Sequence, residues 1–152
     1  MKYPSLLTTK LFFLLLAFIL LITGCAKTHH ATAAIESTNF LNPNIYQQPS
    51  PVVVIIYQLK SSTAFQQANF FALSDNAQTL LGAELLDKRE IEIRPGQKQS
   101  VPMDLSPEAN YIGVIAEFRD PDTAQWRQIK QIKPGKNVKL QIRLSTQNIS
   151  ID

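Results

Sequence analysis

One cysteine, two adjacent histidines and 12 acidic residues are the first candidates this chain offers for thiol, metal or acid–base chemistry. The cysteine is Cys25, at the end of Leu21-Ile22-Thr23-Gly24-Cys25, and His29 and His30 follow it closely. A Ser-His-Asp or Cys-His catalyst needs a histidine held rigidly by the fold. Both histidines fall in a small, polar stretch that reads as a linker, which removes that option. Four nitrogen or sulfur ligands for a structural zinc are not available either. Asp120 and Asp122, with Glu117 nearby, could serve as an acid–base pair or a hard-cation site. Asp120-Pro121-Asp122 is also an ordinary turn sequence, and the turn is favoured. There is no glycine-rich phosphate loop and no P-loop lysine. Aromatic residues do not alternate with Arg and Lys as in a single-strand nucleic acid binder. The residues predict a protein that is not an enzyme, with no catalytic residues, metal or cofactor and no nucleic acid partner.

The segment before Cys25 explains what the thiol is for. Lys2 and Lys10 mark a positive region, and Leu11–Ile22 is an unbroken apolar run of 12 residues. That is the layout of a secretory signal. It is shorter than the ~20 residues that cross a bilayer as a helix. Gly24-Cys25 resembles a bacterial lipobox, which implies that Cys25 is lipidated, becomes the mature N-terminus and engages the lipid bilayer through its acyl chains. The expected organisation is a signal peptide over 1–24, lipidated Cys25 and a tether over 25–33, and a β-sandwich domain over 34–152. Removing residues 1–24 takes two lysines and no acid, so 15 basic and 12 acidic residues become 13 and 12, a net charge of +1. With its sole thiol lipidated, the domain forms no disulfide and must stand on its apolar core.

The elements that follow read mainly as strands. Ala34 to Thr38 suits a first short strand. Asn39–Pro51 is rich in Asn, Gln and Pro, and Asn42-Pro43 and Pro49-Ser50-Pro51 forbid a helix there. A loop of this length in a small domain usually has a task. Its Phe40, Leu41, Ile45 and Tyr46 either form a contact surface or pack back onto the sheet. Val52–Leu59 is continuous and β-branched, as expected of a strand buried on both faces. Thr63-x-x-Gln66 has the form of a capping box. Ala64, Phe65, Ala68, Phe71 and Ala72 fall on one helical face, and Asp75-x-x-Gln78 suggests a second helix through Leu86. From Lys88 the alternation is that of strands. Ile91 and Ile93 end at Pro95-Gly96, a type II turn signal. Val101, Met103 and Leu105, then Tyr111–Phe118, Trp126–Ile132 and Val138–Leu144, with a short edge strand at Ile149 and Ile151, complete the set. The spacing predicts an antiparallel β-sandwich with a small two-helix insertion between strands.

Taken in order, several stretches resemble the type VI secretion system outer-membrane lipoprotein family (TssJ type). They are Pro51–Leu59, Ala64-Phe65, Phe70–Leu73, Leu80–Leu86, Arg94-Pro95-Gly96, Tyr111–Asp120, Trp126-Arg127 and Pro134-Gly135-Lys136. The resemblance implies a transthyretin-like β-sandwich, anchored in the outer membrane and facing the periplasm. Ala26 stands where an inner-membrane lipoprotein commonly carries Asp. In that family the loop between the first two strands contacts the periplasmic domain of an IcmF-like (TssM-type) inner-membrane protein. Carried onto this chain, the partner-binding residues are Asn39, Phe40, Leu41, Asn42, Pro43, Asn44, Ile45, Tyr46, Gln47 and Gln48. This is the least family-like part of the chain, more apolar and without glycine. The implied function is a non-enzymatic scaffold of the secretion membrane complex. Two other readings remain: a lipoprotein holding a small ligand or glycan at one end of the sandwich on Tyr111 or Trp126, and a hydrolase using Asp120, Asp122 or Glu117.

Overall fold

Eight strands form two four-stranded sheets that face each other, with a helical layer on the outside of one of them. The computed structural model describes residues 29–152; the signal segment and Cys25 lie outside the described residues. The strands are β1 (His29–Ser37), β2 (Val52–Leu59), β3 (Leu85–Ile93), β4 (Lys98–Leu105), β5 (Tyr111–Ala116), β6 (Arg127–Gln131), β7 (Val138–Ser145) and β8 (Asn148–Ile151). Helices α1 (Thr63–Gln67) and α2 (Phe70–Leu81) stand between β2 and β3. Sheet order is β4-β1-β7-β8 in one layer and β3-β2-β5-β6 in the other. The mainly β transthyretin-like sandwich with a two-helix insertion is therefore the fold.

Alternation decides which residues fill the space between the sheets. Leu140, Ile142 and Leu144 of β7, Val101, Met103 and Leu105 of β4, and Ala31, Ala33 and Ile35 of β1 all point inward and are buried. Val52, Val54 and Ile56 of β2 and Ile112 and Val114 of β5 meet them from the other sheet. The continuous β-branched run of β2 has its expected cause. Its other set, Ile55, Tyr57 and Leu59, packs beneath α1 and α2 with Phe65, Leu73, Ala77 and Leu81. A full burial of each such side chain contributes about 1.5–3 kcal/mol, so the helices are held by β2 more than by their own propensity.

Four expectations are corrected. The first strand begins at His29, so His29 to Ala33, expected in the tether, are strand residues. Alanine-rich sequence is a poor strand signal, but β1 is paired along its length by β4 and β7, and pairing overrides propensity. Its partnership with β7 is parallel, so that sheet is mixed and not wholly antiparallel. The Thr63-x-x-Gln66 capping box does not form: Ser62 is the N-cap of α1 and makes no side-chain cap. Asn69 instead caps α2, accepting from Ala72 N at 2.8 Å. The helix then runs from Phe70 and kinks at Asn76 (φ −128°), rather than starting at Asp75.

The two ends of β1 define two ends of the molecule. Nine extended residues span roughly 28 Å. His29 lies at one end, with Leu105 of β4 and the β6–β7 turn. Ser37 and the loop to β2 lie at the other.

Candidate functional site

The β1–β2 loop is built from two anchored ends and a closed tip. At its start, Ser37 Oγ donates to Arg94 O (2.6 Å) and accepts from Gln97 N (3.0 Å). Gly96 N donates to Thr38 O at 3.0 Å. Gly96 has φ +72°, and a β-carbon there would lie 2.5 Å from Asn39 Oδ1. The left-handed conformation favours glycine at this turn, and a β-carbon would have to push the exposed Asn39 amide aside.

Leu41 and Asn42 pin the middle. Leu41 is fully buried and Asn42 is 6% exposed, so these two residues, expected on the contact surface, belong to the core instead. Asn42 takes φ +44°, a region asparagine tolerates better than most residues. Its Nδ2 donates to Pro51 O (2.8 Å), its Oδ1 accepts from Arg119 N (2.9 Å), and its own N–H donates to Thr146 O (2.8 Å). A buried amide is tolerated because its groups are satisfied.

The tip is folded around Asn44. Its Oδ1 accepts from Tyr46 N (2.9 Å) and Gln48 N (3.0 Å), and its Nδ2 donates to Gln48 Oε1 (3.0 Å). Backbone bonds from Gln47 N to Asn44 O and from Asn44 N to Gln48 O, both 2.9 Å, close the turn. Gln47 is left-handed at φ +61°. The result is an Asx-stabilised turn that lifts Ile45 and Tyr46 into solvent, 81% and 76% exposed. Phe40 is 41% exposed at the loop base. Pro43 and Asn44 are half-buried, and Asn39, Gln47 and Gln48 are exposed. Of the four apolar loop residues, one is core, one sits at the base and two crown the tip.

The other candidate chemistry is not assembled. Ser74 Oγ donates to a Glu117 carboxylate oxygen at 2.5 Å, tying α2 to the end of β5. Asp120 accepts from Thr123 Oγ1 (2.7 Å) inside its own turn, and Asp122 is exposed beside it. Among the described residues no group of three or more His, Cys, Asp or Glu could hold a metal. Trp126 is engaged by the Phe70 ring, edge-on at 5.2 Å, and by the Arg127 guanidinium at 4.8 Å. Arg127 also donates to Phe65 O and Ala68 O at the end of α1 (2.9 and 2.7 Å). Trp126 is therefore an internal packing residue, and the larger depressions are shallow and lined by Glu36–Asn39, Arg94–Gln97 and Arg143.

The braces of the loop escape sequence reasoning. Thr146 and Arg119 act through backbone groups, 104 and 77 positions from Asn42. No side-chain type signals that role.

The comparisons bear on the whole described unit. The family model T6SS-SciN, described as "Type VI secretion lipoprotein, VasD, EvfM, TssJ, VC_A0113", matches residues 29–147. Among solved structures, the T6SS lipoprotein TssJ1 from Pseudomonas aeruginosa is 33% identical, with 83% of this chain and 96% of that one covered and a TM-score of 0.79. Serratia marcescens Lip, titled as a membrane bound component of the type VI secretion system, shares the fold at 23% identity and TM-score 0.76, covering 81% and 96%. A chain in a structure titled "Type VI membrane complex" is 25% identical, covering 83% and 99%, with a TM-score of 0.72. No curated protein sequence matches the chain. The chain belongs to the type VI secretion lipoprotein family of the TssJ kind, whose members are structural lipoproteins and not enzymes.

Proposed function

We propose that this protein is an outer-membrane lipoprotein, acylated at Cys25 and facing the periplasm. In this role it grips the periplasmic domain of an IcmF-like (TssM-type) inner-membrane protein through the tip of its β1–β2 loop. The observation that carries the reading is the exposure of Ile45 and Tyr46 on a turn whose shape is already set by Asn44. An apolar pair held rigidly in water costs little further entropy on binding, and aromatic side chains are common binding hot spots. Membership of the lipoprotein family and the likeness to a chain from a type VI membrane complex support the same role.

The direct test is the double variant Ile45→Ser, Tyr46→Ser. It should weaken binding to the TssM-type periplasmic domain by at least about 2 kcal/mol, near 30-fold, as for hot-spot pairs. The melting temperature should be unchanged, because neither side chain packs on the core. An unaltered calorimetric affinity would rule out the loop tip as the contact. Cys25→Ser should leave the protein out of the outer-membrane fraction and stop secretion while the domain still folds. Outer-membrane fractionation of that variant would refute anchoring through Cys25.

A further inference from the structure

Between Cys25 and the first strand residue, His29, there are only three residues. Even fully extended, the four steps from Cys25 to His29 reach roughly 14 Å. If Cys25 is acylated, the His29 end of the sandwich must sit at the membrane. What the fold places at that end is the β6–β7 turn. A β-carbon on Gly135 would stand 3.7 Å from His29 Nε2, and His30 N donates to Asn137 Oδ1 at 3.0 Å. Lys133 and Lys136 flank Gly135 and are exposed, and Lys130 and Lys139 follow on the adjoining strands. From Thr123 to Ile151 the chain has six basic residues and no acid.

The acids at this end have partners of their own, and Asp87 accepts from Gln58 Nε2 at 3.2 Å. Asp104 accepts from His30 Nδ1 at 2.8 Å, and Glu108 pairs with Lys60, whose ammonium is also felt by Glu84. Among the described residues no carboxylate pairs with Lys130, Lys133, Lys136 or Lys139. A basic turn restrained this close to a bilayer lies within about one or two Debye lengths of its headgroups.

We propose that the Lys133–Lys136 turn rests on anionic phospholipid headgroups of the leaflet holding the acyl chains, orienting the sandwich with Ile45 and Tyr46 directed away from that membrane. This orientation rests on the reading of Cys25 as lipidated. The lipid contact itself rests on the charge and position of the turn.

The test uses the acylated mature protein on vesicles of phosphatidylethanolamine with phosphatidylglycerol, against vesicles of phosphatidylcholine alone. A water-soluble acetylating reagent reports lysine exposure by mass spectrometry. Lys133 and Lys136 should react at least about fivefold more slowly on the anionic vesicles, in line with the contribution of one lysine near such a surface. High salt should remove the difference, and Lys98, towards the opposite end, should react equally on both. Equal reactivity of Lys133 and Lys136 on the two vesicle types overturns the proposal. So does protection that appears only when a TssM-type domain is added, which would make the turn a protein contact.

The mass of the N-terminal peptide reports acylation separately. If Cys25 carries no acyl chain, the anchoring reading fails, and sedimentation of the unacylated mature chain with the same vesicles decides the lipid contact. There Lys133→Gln with Lys136→Gln should lower binding to anionic vesicles about 25-fold. No loss overturns the contact.

Discussion

Tyr57 illustrates how much a single side chain does in this fold. It is fully buried under the helical layer, its ring lies 5.4 Å from that of Phe65, and its hydroxyl donates to Leu73 O at 2.9 Å. Burial pushes its pKa well above the ordinary value of 10.0, and the charges of Glu117 and Glu90 push it the same way. The unfolded chain loses this proton near pH 10 while the folded one keeps it. The stability that Tyr57 contributes is thus complete below pH 10 and is lost as pH rises from there towards the folded value. Tyr57→Phe should cost about 1 kcal/mol at neutral pH through the lost hydrogen bond. It should also flatten the alkaline fall in stability. Urea titrations at pH 7 and above pH 10 check both, and an unchanged alkaline slope would assign that fall to other groups. The position of Tyr57 inside an apolar run is plain in the sequence, but its partner at Leu73 is not.

At the scale of elements, the helix–sheet contact turns on Gly113. A β-carbon there would meet the Phe65 ring at 2.6–2.9 Å, and Phe65 has no exposed surface into which it could retreat. Gly113→Ala should therefore destabilise by about 1–3 kcal/mol through overpacking. Adding Phe65→Leu should recover part of that loss, because residues in contact are not additive. Denaturant unfolding of the two single variants and the double would show it. Additive losses would mean that the ring and the strand are not in direct contact. The same layer marks the limit of pattern reading. Helical spacing finds two helices between β2 and β3 but misplaces their face: Phe71 is 64% exposed, and Leu73, Ala77 and Leu81 are the residues of α2 that are buried. The caps move: Ser62 and not Thr63 stands at the N-cap of α1, and Arg127 donates to the carbonyls of Phe65 and Ala68 where α1 ends.

Across the whole molecule, Asn42 joins parts of both sheets beneath the loop. It reaches the β7–β8 turn through Thr146, the start of β2 through Pro51 and the exit of β5 through Arg119. Asn42→Ala should cost about 1–3 kcal/mol by leaving the Arg119 N–H and Pro51 C=O without their partner, with further strain from φ +44°. Thermal or urea unfolding measures this loss, and a wild-type midpoint would show that water replaces the amide. Removing it should also weaken the TssM-type contact indirectly, by loosening a tip whose own residues are unchanged. The loop and the basic turn lie at opposite ends of β1, so changes in one should not alter binding at the other.

What the sequence by itself determined is whatever depends on local pattern. The signal layout and Cys25, the alternation of β4 and β7, the two-sided burial of β2, the Pro-Gly turns and the ordered resemblance to the TssJ family are all legible without coordinates. Tertiary structure decided what depends on distant partners. It made the alanine-rich stretch from His29 a central strand by pairing it on both sides, and set the Lys133–Lys136 turn beside the first residues of that strand. It also divided the loop, drawing Leu41 and Asn42 inward through bonds to backbone groups far along the chain and leaving Ile45 and Tyr46 outside. A long-range backbone hydrogen bond leaves no mark on residue type, which is why the surface of this loop could be suspected from sequence but not drawn.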